Sequence, residues 1–291
     1  MTSKPTIGWI GLGQMGHRMA RHVAEAGYPM VVADAASTDL APGTVSHASG
    51  NGEVGAKASI VVLSVPDGVA SLAVCQDLIA AEPRAVDLVI DTSTIGMRAA
   101  REASDLLAAH GIAYVDAPVS GGVAGADAAS LSVILACRQV LVERVSPLLS
   151  CIGRHLFHVG LEPGMGQAVK LLNNFLSATA MAATSEAMAF ATTVGLDMQT
   201  VLDVVNRSTG QNTASRDKFP KRVVTERYDG GFAAAMMAKD VRLYVEEVGK
   251  AGSASHLASE IEALWSAFDD SAEGADFTRI YPFVRDGRKP S

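Results

Sequence analysis

Aromatic residues make up only 5% of this 291-residue chain, and charged residues only 19%. With so few rings, a core must rest on small aliphatic side chains, and a hydrophobic fraction of 48% supplies them. Basic residues are not in excess: 24 Lys and Arg stand against 31 Asp and Glu, a net charge of −7. That balance argues against a sequence-independent grip on nucleic acid. Cysteine is scarce too. Cys75, Cys137 and Cys151 lack CxxC or metal-ligand spacing, so they read as buried thiols in a reducing compartment, not as a disulfide framework. The seven histidines form no HExxH pattern, and no metal is expected. The stretch nearest to a membrane span, 177–195, is mostly Ala, Thr and Ser and carries Glu186, so it reads as a buried helix. The opening Met1-Thr2-Ser3-Lys4-Pro5 runs straight into a strand with no room for a secretory signal. A cytoplasmic protein with neither membrane nor nucleic-acid partner is the expectation.

What is present has a clear order. The length suits one large or two medium domains. Short β-branched runs at 6–10, 30–34, 60–65, 88–91, 113–116, 131–135 and 155–158 alternate with helical patterns at 15–26, 68–81, 97–110 and 138–152. Such alternation predicts a mostly parallel sheet covered on both faces, with a mixed edge where the last strands crowd together. After Gly164 the strand pattern stops. Helical patterns follow at 165–194, 197–206, 219–225, 233–251 and 254–271, so the C-terminal part reads as all-α. The expected domains are 1–163 and 164–291, with residues 164–195 as the joining helix.

The first strand candidate leads into Gly11-Leu12-Gly13-Gln14-Met15-Gly16 and then a helix ending at Gly27. Strand, glycine turn and helix together make a dinucleotide-binding fingerprint: Gly11 for the tight turn, Gly13 for close approach of a pyrophosphate, Gly16 for helix–strand packing. The free N–H groups of the helix start would face the anion. Asp34 closes the second strand, where a carboxylate meets the ribose hydroxyls and repels a 2′-phosphate. No Lys or Arg follows in Ala35-Ala36-Ser37-Thr38, which favours NAD over NADP. The plainer reading of Asp34 is a cap or turn residue. Val65-Pro66 and Ser93-Thr94 also lie at carboxyl ends of strands, where ligands bind in open α/β sheets. Ser93 and Thr94 are expected first as caps of the helix beginning near Gly96, with cofactor contact in addition.

Two further segments carry chemistry. Asp116-Ala117-Pro118-Val119-Ser120-Gly121-Gly122 follows a strand end, and a hydroxyl beside two glycines can present donors to a carboxylate. Lys170, Asn173 and Asn174 share one face of the long helix, a turn apart. A lysine in so apolar a helix is costly to bury, because desolvation disfavours its charged form. It reads either as a proton-handling group beside two amides or as a snorkelling surface lysine.

Taken together, these segments, with Met19-Ala20, Gly164-Met165-Gly166, Phe232, Lys239-Asp240 and Asp276-Phe277-Thr278, resemble the β-hydroxyacid dehydrogenase family, which includes 3-hydroxyisobutyrate dehydrogenase and tartronate semialdehyde reductase. The matching pieces span nearly the whole chain in family order. The resemblance implies an α/β Rossmann-type N-terminal domain followed by an all-α C-terminal domain, joined by a long helix. It also implies NAD(P)-dependent interconversion of a 3-hydroxy acid and its semialdehyde. Lys170 would be the general acid/base, Ser120, Gly121 and Gly122 would hold the carboxylate, and Asn174, with Asn173 beside it, would orient the substrate. Thr94, Phe232, Lys239 and Asp240 would line the cofactor–substrate cleft. A neutral lysine near a nicotinamide can cycle between charge states, which agrees with that role.

Rival readings are decarboxylating 6-phosphogluconate dehydrogenase, an imine or other carbonyl reductase, and an inactive NAD(P)-binding module. The first needs a larger helical domain than follows Gly195. Lys170 argues against the second, and Lys170 with Asn174 against the third. No basic residue follows Gly122 until Arg138, so a second anion on the substrate has no obvious partner there. An alanine-rich long helix in so small a helical half predicts a homodimer or homotetramer built through it.

Overall fold

A computed structural model describes residues 4–36 and 45–287. Its contacts divide the chain into two compact units, Met1–Lys170 and Leu171–Ser291. The first unit runs β1 (Ile7–Ile10), α1 (Gly16–Glu25), β2 (Met30–Ala33), β3 (Val45–His47), α2 (Asn51–Lys57), β4 (Ile60–Leu63), α3 (Gly68–Ile79), β5 (Leu88–Asp91) and α4 (Met97–Ala108). It continues through β6 (Ala113–Asp116), β7 (Val119–Ser120), α5 (Gly122–Asp127), β8 (Leu131–Ala136), α6 (Gln139–Leu149) and β9 (Gly153–Gly160). Then come α7 (Met165–Thr193), α8 (Met198–Val205), a π-helical stretch (Ala214–Val223), α9 (Ala234–Lys250), α10 (His256–Ser271), a short 3-10 turn (Phe277–Arg279) and α11 (Ile280–Arg285).

Among the described residues the strands form one nine-stranded sheet in the order β3-β2-β1-β4-β5-β6-β8-β7, with β9 also paired to β8. Neighbours from β3 to β6 are parallel, β8 runs antiparallel to β6 and β7, and β9 lies parallel to β8. The expected mixed edge is therefore at β7–β9. Both faces of the parallel part are buried. Ile7 and Trp9 of β1 and Ile60 and Val62 of β4 belong to one apolar cluster, while Ile10, Val61 and Leu63 belong to the other. Alternating side chains thus feed opposite faces, which is why these strands read as continuous apolar runs. The strand order reverses at β1, between β2 and β4, so the crevice at the carboxyl ends of β1 and β4 is the topological switch point.

The second unit is helical around its own core, with Trp265 fully buried and its Nε1 donating to the carbonyl of Ala178 at 3.3 Å. Phe175 stacks on Tyr244 with ring centroids 4.4 Å apart. The helix expected at 219–225 is instead the π-helical stretch, where Val224 N donates to Phe219 O at 2.9 Å. Pro220 lies inside it and has no N–H to give an α-helical ladder. The sequence pattern also passed over β3, β7, α2, α5 and α11. Each is seven residues or shorter, and α2 carries Gly52 and Gly55. The cysteines are unpaired; Cys75 and Cys137 are buried, but Cys151, expected inside, is only half-buried. No described helix is long and apolar enough to cross a membrane.

Candidate active site

The glycine turn sits at the switch point, between β1 and α1. Gly11 has φ +96°, in the left-handed region that favours glycine, and a Cβ there would collide with the carbonyl of Ser64. A Cβ on Gly16 would strike the carbonyl of Gly11, so the helix can start this close to the strand only with glycine. A Cβ on Gly13 would meet nothing within 4 Å, which leaves open space over that backbone. Helix α1 begins after Met15 with no side-chain cap and no acidic residue in its first turn. Gln14 faces along the helix and accepts from Arg18 through both its carbonyl and its Oε1, at 2.6 and 3.0 Å. A tight turn, open backbone and an uncapped helix start fit a pyrophosphate.

Asp34 follows β2 and turns its carboxylate to this turn: Oδ2 accepts from Leu12 N at 2.5 Å, and Oδ1 from Ala36 N at 2.7 Å. It is a turn residue and a carboxylate beside the nucleotide loop at once. Ser37 and Thr38, part of the stretch read as lacking Lys and Arg, lie outside the described residues.

Next along the sheet, Val65 N donates to Ser93 Oγ at 2.8 Å, tying the loop of Val65 and Pro66 to the loop after β5. This corrects the expectation for Ser93. Its hydroxyl spans two loops instead of capping α4, because Gln167 Oε1 takes the N–H groups of Ile95 and Gly96, at 2.9 and 3.2 Å. Thr94 is half-buried in the same loop. Below it Asp91 is fully buried and accepts from the Ser71 hydroxyl at 2.6 Å and Ser93 N at 2.9 Å. Burial pushes its carboxyl up, and those donors pull the other way.

Asp116 ends β6 and holds the start of α7. Its Oδ2 accepts from Gly164 N at 2.9 Å and Gln167 N at 3.2 Å, and its Oδ1 from Gln167 Nε2 at 2.8 Å. Burial pushes this carboxyl up to about 6, while the Gln167 and Gly164 donors pull down and the Asp91 charge pushes further up. Shortly past Pro118 the chain reaches Ser120, Gly121 and Gly122, with Gly121 at φ +139° and Gly122 at φ +63°. A Cβ on Gly122 would meet nothing within 4 Å, so the backbone there is approachable. On α7, Lys170 is buried at 9% exposure, which removes the reading of a surface lysine.

In the second unit the amides form a chain. Asn173 Nδ2 donates to Asn174 Oδ1 at 3.2 Å, and buried Asn174 donates through Nδ2 to Asp240 Oδ2 at 2.5 Å. The other oxygen of Asp240, itself buried, lies 3.3 Å from Lys239 Nζ. Phe232 packs edge-on against Phe277, with centroids 6.0 Å apart. Asp276 fixes that loop by accepting from Gly231 N at 2.8 Å, Phe232 N at 3.3 Å and Thr278 N at 3.0 Å. The pairing of Asn174 with Asp240 and the clamp by Asp276 join segments distant in sequence. The roles of Asp116 and Gln167 were missed altogether; their one sequence signal was an acid at a strand end and a glycine pair before the helix.

A glycine turn at the switch point, with an acid across from it and a buried lysine on a helix bound to the same sheet edge, defines a nicotinamide-linked oxidoreductase. Comparison with known proteins carries this further. Residues 6–160 match the family described as the NAD binding domain of 6-phosphogluconate dehydrogenase, and residues 164–284 that described as NAD-binding of NADP-dependent 3-hydroxyisobutyrate dehydrogenase. The 3-hydroxyisobutyrate dehydrogenase of Pseudomonas aeruginosa is 34% identical, covering 96% of this chain and 98% of its own. The 2-(hydroxymethyl)glutarate dehydrogenase of Eubacterium barkeri is 32% identical over 85% of this chain and 83% of its own. The solved Mycobacterium tuberculosis 3-hydroxyisobutyrate dehydrogenase with L-serine is 31% identical, covering 97% of this chain and 99% of that one, with a TM-score of 0.87. The chain belongs to the β-hydroxyacid dehydrogenase family and is an NAD(P)-dependent hydroxyacid dehydrogenase.

Proposed function

We propose that this enzyme interconverts a 3-hydroxy acid bearing one carboxylate and its semialdehyde, with NAD preferred over NADP and Lys170 as the general acid/base. The observation that carries this reading is the burial of Lys170 on α7, one turn before Asn173 and Asn174. In the oxidative direction the neutral Lys170 amine takes the proton of the 3-hydroxyl as the carbon–oxygen double bond forms. The oxidised nicotinamide, when bound, supplies the acceptor for the hydride leaving the same carbon. In reverse, the Lys170 ammonium returns the proton to the carbonyl oxygen. Ser120 Oγ and the N–H groups of Gly121 and Gly122 receive the carboxylate, and the positive φ at both glycines supports that approach. Asn174 spends one amide hydrogen on Asp240 and keeps the second for a substrate oxygen. Gly11–Gly16, Val65, Pro66, Thr94 and Lys239 hold the cofactor, and Asp34 takes its ribose hydroxyls.

A cytoplasmic setting agrees with three unpaired thiols, one of them half-exposed. The substrates named for the relatives, 3-hydroxyisobutyrate, 2-(hydroxymethyl)glutarate and L-serine, are the first panel to follow by the absorbance of reduced nicotinamide. Each acid is compared with the matching alcohol that lacks the carboxylate beside the reacting carbon. The alcohol is expected to lose charge-assisted hydrogen bonds worth about 1.5–3 kcal/mol each. Comparable kcat/KM values for acid and alcohol would mean that Ser120–Gly122 does not read a carboxylate.

A further inference from the structure

Gln167 is fully buried and uses every polar atom of its side chain. Oε1 accepts from Ile95 N and Gly96 N at 2.9 and 3.2 Å, and Nε2 donates to Ser93 O at 3.1 Å and Asp116 Oδ1 at 2.8 Å. Its own backbone N–H goes to Asp116 Oδ2 at 3.2 Å. Three stretches of chain therefore meet on one residue. They are the Ser93–Gly96 loop that carries Thr94, the end of β6 that leads to Ser120–Gly122, and the first turn of α7. A Cβ on Gly166 would sit 2.8 Å from the carbonyl of Ile134 and 2.9 Å from Asp116 Oδ2, so glycine beside Gln167 is what lets the helix seat this closely.

We propose that Gln167 is a positioning residue for the hydride chemistry, fixing the turn that bears Lys170 against the loops of Thr94 and of Ser120–Gly122. The inference rests on Lys170 as the acid/base. The chemistry of the position asks for an amide. Only a neutral group with both an acceptor and donors can satisfy two N–H groups, a carbonyl and a carboxylate together. A glutamate would face the Asp116 carboxylate charge to charge. A methionine of similar length would take the side-chain partner from Ile95 N, Gly96 N, Ser93 O and Asp116 Oδ1 alike, leaving Asp116 only its backbone donors on Oδ2. Catalysis depends on placement at the ångström scale, and about 1 Å of misplacement can cost about a hundredfold in rate.

The test compares Gln167→Met, Gln167→Glu, Asp116→Asn and the exchange Asp116→Asn/Gln167→Glu. In the exchange, the new amide at position 116 would donate to the new carboxylate at position 167. That amide's oxygen would still accept from Gly164 N and the residue-167 N–H, and the carboxylate would still accept from Ile95 N and Gly96 N. Only Ser93 O would lose its donor. Each single variant is expected to lose about a hundredfold in kcat well below its melting temperature and to move the pH profile of kcat. The exchange is expected to regain at least about a tenfold factor over Gln167→Glu. Should Gln167→Met not fold, the exchange against its two parents decides. If the wild type and Lys170→Ala behave as Lys170 catalysis requires, yet Gln167→Met keeps wild-type kcat and pH profile, or the exchange is no better than its parents, the positioning role is overturned. A wild type inactive on every 3-hydroxy acid, or an active Lys170→Ala variant, would instead remove the Lys170 reading and this inference with it.

Discussion

On the proposed reading Lys170 moves the proton and Asp34 selects the cofactor, and each is a single side chain whose replacement has a definite sign. On that reading Lys170→Ala removes the proton-transfer group while leaving the Gly11–Gly16 turn intact. Turnover is expected to fall by about a hundred- to ten-thousand-fold with NAD still bound. Lys170→Arg should be nearly as damaging, since a guanidinium does not deprotonate at working pH. Steady-state rates above about half of wild type in either variant would end the assignment. Asp34 presents its carboxylate beside the nucleotide turn, at 2.5 Å from Leu12 N. A 2′-phosphate would meet it charge against charge, so kcat/KM should be higher with NAD, and Asp34→Ser with Ala35→Arg should shift preference toward NADP. Wild-type activity equal or better with NADP would refute this. At this scale the sequence marked residues by their own chemistry, and the structure gives each a place: the glycines make the turn, Asp34 bonds to it, and Lys170 is buried. The sequence was silent on Gln167, because a buried glutamine looks like any other until its four partners, none near it in the chain, are brought to it by the fold.

At the scale of elements, the junction of β6 with α7 is where the sheet edge takes hold of the long helix. The Asp116 carboxyl there is pushed up to about 6 by burial, against its three N–H donors. In the unfolded chain it titrates near about 3.9. Between about pH 4 and 6 the folded state therefore holds the proton more tightly, and Asp116 makes the protein more stable as pH falls through that window. The full difference is about 3 kcal/mol, approached below about pH 3, and above about pH 7 its contribution no longer changes. Melting temperatures of wild type and Asp116→Asn should thus move relative to each other between about pH 6 and 4, in favour of the wild type, and run parallel above about pH 7. Parallel behaviour throughout would show that the carboxyl is not shifted. Asp91 is coupled to Asp116 by charge, so in the acid range the comparison reads the pair, whereas Tyr114 and Cys137 are pushed up by burial, away from that window. The long apolar strands and helices of this unit were legible as periodicity. The two-residue β7 and the glycine-bearing α2 were not, because they are held by neighbours and not by their own pattern. The π-helical stretch was mistaken for an α-helix because the sequence shows Pro220 but not the wider ladder that accommodates it.

At the scale of the whole molecule, α7 carries an unpartnered apolar stripe: Met165, Val169, Leu172, Leu176 and Phe190 recur at helical spacing, with Val194 just past its end, and Leu176 is 58% and Phe190 67% exposed. Burying it against a second copy would recover on the order of 25 cal/mol per Å² of apolar surface. We expect a homodimer or homotetramer held in part through this helix, and Leu176→Glu should weaken it by placing a charge in the seam. Sedimentation at micromolar concentration reads both, and a monomeric wild type would overturn the expectation. The thiols have a consequence of another kind. Cys75 and Cys137 lie inside the first unit, where burial pushes them up to about 12 and about 11. An alkylating reagent reacts with thiolates, and these two offer almost none. Cys151, half-buried at the foot of α6, remains within reach although burial raises it as well. Intact-mass measurement after iodoacetamide should therefore find a single adduct on the native protein and three in denaturant, whereas three on the native protein would contradict the burial. A dye introduced through that one adduct would mark every molecule at the same place, and the slow arrival of a second would time the opening of the domain around Cys75 or Cys137.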